Sequence, residues 1–287
     1  MTDRKNTSTA TSTTAGVLRP DELTKHVRLE RMDCAEWLAP WVENYWMLQW
    51  ELPAERTYQS STLPHPACTL SVERGHLREG VEGIEGAVVV TGVLTRRFDV
   101  TLQDAGWVLG IKFRPGGLAS LTGTSAKPLR DVTAAAPTAF PATTVQTLAQ
   151  LGPHLSPDEC RILADAALDT DAALDTGERS PTPDYATVLD TVSVMLKDRT
   201  LVRVAQVEER CGIGRRRLQR LFEKYVGATP KWVLARYRIH DAVSDLDAGY
   251  AGSLAGLAAR YGWFDQAHFT REFTELVGVP PGIYQRR

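Results

Sequence analysis

The chain has 287 residues, of which 43% are hydrophobic and 24% charged, with a formal net charge of −2. That length exceeds one average domain of about 100–200 residues, and the composition is that of an ordinary globular protein, which excludes a fibrous or wholly disordered chain. The longest apolar run, around Gly86 to Leu94, is far below the ~18 residues needed for a helix that spans a bilayer.

In chain order, residues 1–18 come first. They are rich in Thr and Ser and lack the apolar stretch of a secretory signal, so a disordered tail is expected. Residues 19–170 read as a β-rich domain of regulatory, effector-binding or dimerisation type. Tyr45–Trp50, Cys68–Val72, Ala87–Thr91 and Arg97–Leu102 have the aromatic and β-branched content of strands and are separated by turn residues. From about Thr143 the pattern turns helical. Ser156-Pro157-Asp158-Glu159 supplies an N-cap, an early proline and an acidic first turn for a helix reaching Leu168. Residues 171–183 contain Gly177, Pro181 and Pro183 among polar residues and read as a linker.

Residues 184–287 read as all-helical. Val188, Val192, Met195 and Leu196 share one face of a first helix, with Asp184 as its expected cap. The expected fold class is therefore α+β with two domains, the second made of two helix-turn-helix units joined by a long helix. Charge divides in the same place. Residues 182–287 carry 16 Lys and Arg against 12 Asp and Glu, while residues 1–181 carry 17 against 23, so a polyanion would meet the back half. Cys34, Cys68, Cys160 and Cys211 are scattered without a C-x-x-C pair, which points to reduced thiols in a cytoplasm, with no metal site and no cofactor.

The C-terminal region repeats. Gly212 pairs with Gly262 at an offset of 50, whereas Arg220, Phe222, Gly227 and Pro230 pair with Arg271, Phe273, Gly278 and Pro281 at 51. The one-residue change falls in a turn. A helix that ends at glycine and restarts within three or four residues is the helix-turn-helix pattern. In the second copy Asp265 is expected to cap the restarting helix, Phe269 and Phe273 to form its buried stripe, and Gln266, Ala267, Thr270 and Arg271 to lie outside. In the first copy Leu218, Leu221 and Phe222 are the buried set. Arg216, Gln219 and Arg220 face outward and match the residue types that read guanine and adenine in a major groove, while Arg215 and Arg217 suit phosphate. Between the copies Pro230 opens a helix expected to run to about Asp247.

At these residues the chain resembles the AraC/XylS family of bacterial transcription regulators. The resemblance covers roughly residues 184–287 and is carried by the segment from Ala258 through Tyr261-Gly262-Trp263-Phe264-Asp265-Gln266 to Phe273, followed by Gly278-Val279-Pro280-Pro281 and Tyr284. It implies a cytoplasmic, nucleoid-associated regulator binding double-stranded operator DNA, with RNA polymerase as a partner. By position it implies DNA contacts from Arg216, Gln219 and Arg220 in the first unit, and from Gln266, Ala267, His268 and Arg271 in the second. Two positions depart from the pattern: Glu208 stands where a small residue is usual, and Gly214 where a Ser cap is usual. The first domain resembles the β-rich N-terminal domain found on some members, through Tyr45-Trp46, Leu63-Pro64-His65-Pro66 and Phe113-Arg114-Pro115-Gly116-Gly117. Such domains sense a small molecule, form a homodimer, or both. An effector pocket would draw on Trp46, Trp50, His65, Trp107, Phe113 and Arg114. Two other readings are an alkyl-acceptor DNA-repair fusion using Cys68, which would need an activated thiol, and a helical adaptor that binds protein.

Overall fold

A computed structural model describes residues 17–18, 20–169 and 180–286. Residues 1–16 of the expected tail and 171–179 of the expected linker lie outside the described residues, whereas Val17 and Leu18, placed in the tail by the sequence, pair with the end of the strand Thr57–Thr62: Val17 bridges Thr62, and the Leu18 amide donates to the Ser61 carbonyl at 2.9 Å. Eight strands form the N-terminal half: β1 (Val27–Met32), β2 (Val42–Glu51), β3 (Thr57–Thr62), β4 (Thr69–Gly75), β5 (Val88–Thr91), β6 (Phe98–Gln103), β7 (Ala105–Phe113) and β8 (Thr133–Ala135). Six of them make an antiparallel sheet in the order β1-β2-β7-β4-β5-β8, and β3 pairs with β6 in a second sheet. Strand side chains alternate between faces, so register decides what each face carries. Trp46 lies opposite Gly110 and Trp50 opposite Gly106, on one face of the larger sheet. Tyr45, Trp107, Leu109, Ile111 and Phe113 lie on the other and are buried.

Gly110 is glycine because of a close approach. A Cβ there would overlap the Trp46 indole.

Helices follow: α1 (Pro20–Leu23) precedes the sheet, and α2 (Gly117–Thr122), α3 (Ala142–Leu148) and α4 (Pro157–Leu168) come after β7. The start of α4 is held by a capping box. Ser156 accepts from the Glu159 amide, and Glu159 accepts from the Ser156 amide at 2.8 Å. The C-terminal half contains α5 (Pro183–Lys197), α6 (Val204–Cys211), α7 (Arg215–Leu221), α8 (Pro230–Asp247), α9 (Leu254–Arg260), α10 (Gln266–Val277) and α11 (Pro281–Tyr284). The cap of α5 differs from expectation. Thr182 accepts from the Tyr185 amide, and Asp184 lies inside the first turn, because Pro183 occupies the first helical position and needs no N–H partner there.

The two halves share one core. A continuous cluster of buried side chains runs from Leu38 and Tyr45 through Phe113 and Leu118 to Tyr185, Phe222 and Tyr237. The Tyr185 hydroxyl donates to the Pro40 carbonyl at 2.8 Å, and the Ala126 amide donates to the Lys224 carbonyl at 2.8 Å. A second cluster holds α8, α9 and α10 together through Ile239, Ala242, Leu257, Ala258, Phe269 and Phe273, and Leu63 from the loop after β3 enters it.

Candidate nucleic-acid interface

Two helix-turn-helix units are built from the same parts. In the first, α6 ends at Gly212, which takes a left-handed φ of 62°, and the Ile213 amide returns to the Glu208 carbonyl at 3.0 Å. In the second, α9 ends before Gly262 with φ of 73°, and the Trp263 amide returns to the Ala258 carbonyl at 2.9 Å. These bonds superimpose at the offset of 50. The next helix then starts after Gly214 in one copy and after Asp265 in the other, so Phe264 is the extra residue.

The cap residues act differently. Asp265 accepts from the His268 amide at 2.7 Å, whereas Gly214 offers no side chain. Replacing Asp265 by Ala leaves that amide without its partner and should lower stability by about 1 kcal/mol. Chemical denaturation of the full chain measures this, and an unchanged midpoint would show the cap to be redundant.

The outward faces follow the repeat except at Thr270, expected outside and found half-buried. On α7, Leu218 and Leu221 are buried with Phe222 just beyond, and Arg215, Arg216, Gln219 and Arg220 are exposed. Arg217 is exposed too, but it turns back to pair with Asp184 at 3.1 Å. On α10, Phe269 and Phe273 are fully buried while Gln266, Ala267 and Arg271 are exposed. His268 and Thr270 are half-buried. The His268 ring sits 3.0 Å from Glu272, whose other oxygen accepts from the Trp263 indole at 2.6 Å. That chain ties His268 to the turn. Glu208 is half-buried, and its backbone carbonyl serves the turn of the first unit.

Between the units, α8 runs for 18 residues, about 27 Å at the helical rise. Arg238 fastens it to the second unit. Its Nε donates to the Tyr261 carbonyl at 2.7 Å, and its guanidinium lies over the Trp263 ring at 4.1 Å. The C-terminal end of α7 continues as one π turn, Phe222–Val226, closed by the Gly227 amide on the Phe222 carbonyl.

Residues 207–287 match the family described as a helix-turn-helix domain, and residues 30–135 match a domain of unknown function, DUF6597. The C-terminal part is an AraC-type helix-turn-helix domain. With that AraC-type domain, the chain is a DNA-binding transcription regulator. Similar solved structures include a transcriptional regulator with an AraC-type DNA-binding domain from Chromobacterium violaceum, 20% identical, covering 35% of this chain and 90% of that one at a TM-score of 0.33. The C-terminal domain of AraT, a response regulator from Geobacillus stearothermophilus, is also 20% identical and covers 37% and 88% at 0.34. ToxT from Vibrio cholerae is 11% identical and covers 94% and 98% at 0.39.

N-terminal to the AraC-type domain, a cavity of about 280 Å³ opens between the two sheets. Trp46, Trp50 and His65, three of the six residues named from the sequence, line it. Trp107, Phe113 and Arg114 do not. Trp107 and Phe113 lie on the opposite face of the sheet in the main core, and Arg114 donates to the Ala39 carbonyl at 2.6 Å. Sequence reading missed Arg31, Asn44, Ser60 and Lys112, which also line it. Their signal was parity, since Asn44, Trp46, Leu48 and Trp50 alternate along β2. Asn44 and Ser60 are each 8% exposed, and neither side chain has a hydrogen-bond partner among the described residues.

The remaining candidate, Cys68, is 4% exposed, and burial pushes its thiol up to about 12. An alkyl acceptor needs the opposite shift, because the thiolate is the nucleophile. Cys34 is likewise pushed up, to about 11, by burial and then by the neighbouring Asp165. Among the described residues no group of His, Cys, Asp and Glu side chains could hold a metal ion, and no helix is long and apolar enough to cross a membrane.

Proposed function

We propose that α7 and α10 enter successive major grooves on one face of a DNA duplex, with α8 as the rigid spacer that sets their separation. The observation that carries this reading is the pairing of two buried stripes with two exposed polar faces at one repeat offset. Arg215, Arg216, Gln219 and Arg220 face out from one helix, and Gln266, Ala267 and Arg271 from the other. Arginine and glutamine can each bond bidentately to a base edge, and a helix fits a groove about 12 Å wide. Grooves on one face recur every ~34 Å, so the spacer has to hold two rigid units across that distance. Binding of the full chain to random duplex DNA should fall steeply with salt, by a slope of about −0.9 in log K per phosphate neutralised. A flat response would favour a helical adaptor for proteins.

The cavity supports a second element, control by a small molecule. Its walls are apolar at Leu23, Leu48, Leu102 and Val108, while Asn44 and Ser60 present unpartnered polar groups to the interior. A ligand with an apolar body and a few hydrogen-bonding groups would match both kinds of wall. The rim is joined to the spacer helix. Arg236 on α8 is fully buried and donates to the Pro64 carbonyl, the His65 ring packs edge-on against His240 at 4.9 Å, and Leu63 enters the core of the second unit. A ligand that shifts residues 63–65 thereby shifts the element between the recognition helices. Anilinonaphthalene sulfonate should bind the full chain saturably at one site, and Val108→Trp, which fills the cavity, should abolish that binding while circular dichroism is unchanged. Equal binding by the variant would place the dye elsewhere and remove the cavity from the account.

A further inference from the structure

We propose that Phe264 is a specificity-determining residue that reads the methyl group of a thymine at the second half-site. This inference rests on the DNA-binding reading above. Phe264 is 92% exposed, far more than any other large hydrophobic side chain among the described residues; the next, Ile162, is at 55%. A phenyl ring left in water forfeits the burial that stabilises such side chains, so its exposure calls for a partner that covers it.

Its backbone is fixed from both sides. The residue before it, Trp263, is 4% exposed, bonds through its amide to Ala258, packs on Phe269 with centroids 4.8 Å apart, and lies under Arg238. The residue after it, Asp265, is held by its cap bond to His268. Phe264 therefore projects from a rigid turn at the N-terminal end of α10, beside the exposed Gln266 and Ala267. That end of a recognition helix is the one that reaches the base edges.

Chemistry selects the partner. The exposed neighbours of Phe264 in sequence are Asp265, whose carboxylate is taken up in capping α10, Gln266 and Ala267, with Arg271 further along the same helix, and they do not form the apolar surround of a protein-docking patch. The major groove offers one apolar feature, the C5-methyl of thymine, and phenylalanine is among the side chains that contact it. The first unit has no equivalent residue, because its cap Gly214 follows Ile213 directly. Thymine-methyl recognition of this kind belongs to the second half-site alone.

Duplexes selected from a random pool by the full chain provide the test. Each thymine of the second half-site is replaced singly by deoxyuridine, which lacks only the methyl group. One such replacement should weaken wild-type binding about threefold to fivefold, the worth of one buried methyl group. Phe264→Ala should lose a similar factor on the unmodified duplex and respond to no deoxyuridine, whereas Arg271→Ala should keep the wild-type response. Because Phe264 is exposed, the variant should retain its thermal midpoint. Wild-type affinity unchanged at every replaced thymine, or a Phe264→Ala response equal to wild type, would overturn the inference while leaving DNA binding intact. Failure to enrich any sequence would overturn the DNA reading, and this inference with it.

Discussion

Phe269→Ala should destabilise the C-terminal helices by about 3–5 kcal/mol, the usual cost of emptying a phenylalanine site in a packed core. Phe269 is fully buried and stands between Trp263, at 4.8 Å between ring centroids, and Phe273, at 5.4 Å. Phe273 in turn meets Tyr284 on α11 at 5.7 Å. The aromatic chain thus connects the turn of the second unit, α10 and the last helix. Removing its central ring leaves three elements facing a cavity, and it loosens the Trp263 ring on which Arg238 and α8 rest. Urea denaturation of the full chain should show a lower midpoint together with loss of DNA binding. Surface changes on the same helix, such as Ala267→Ser, should stay within about 0.5 kcal/mol. A loss below about 1 kcal/mol for Phe269→Ala would mean that the second unit is held by something other than this stripe.

The second large effect concerns the first unit. Arg216→Ala combined with Arg220→Ala should weaken binding to a selected site by about 2–6 kcal/mol if both arginines read bases, since each bidentate contact is worth about 1–3 kcal/mol. Both side chains are exposed on α7, and neither is drawn into an ion pair among the described residues. Arg217 is the internal control. Because it already pairs with Asp184, Arg217→Ala should cost less than either neighbour. Measuring each variant on selected and random duplexes across a salt series separates the two roles an arginine can play. Loss on the selected site alone marks base reading. Equal loss on both, with a slope shallower by about one unit per residue, marks phosphate contact.

Much of the C-terminal half was legible because its signals are local. Gly212 and Gly262 mark turns, Pro230 marks the start of α8, and the spacing of Phe269 and Phe273 shows which face of α10 is buried. Each depends on neighbours within a few residues. The cap of α5 was misplaced by two positions because Thr182 and Asp184 are both good cap residues, and only the geometry around Pro183 chooses between them.

The N-terminal half was read less completely for a physical reason. Strand β7 contains Gly106 and Gly110, which look like breakers in a linear sequence but are the floor on which Trp50 and Trp46 lie. Which tryptophans share a face depends on the register between β2 and β7, and that register involves residues some 60 positions apart. Hence Trp46 and Trp50 were rightly grouped, while Trp107 was grouped with them although its strand turns it to the opposite core. Phe264 shows the same limit on a smaller scale. The sequence assigns Phe264 no role of its own, and its place as the extra residue of the turn before α10 becomes visible only beside the first unit.

Hydroxyl-radical footprinting of the full chain on a selected duplex tests the two-groove arrangement most directly. The account predicts two protected patches on one face of the helix, centred about one helical turn apart, with Arg271→Ala weakening one and Arg216→Ala the other. A single patch that both substitutions weaken alike would contradict it.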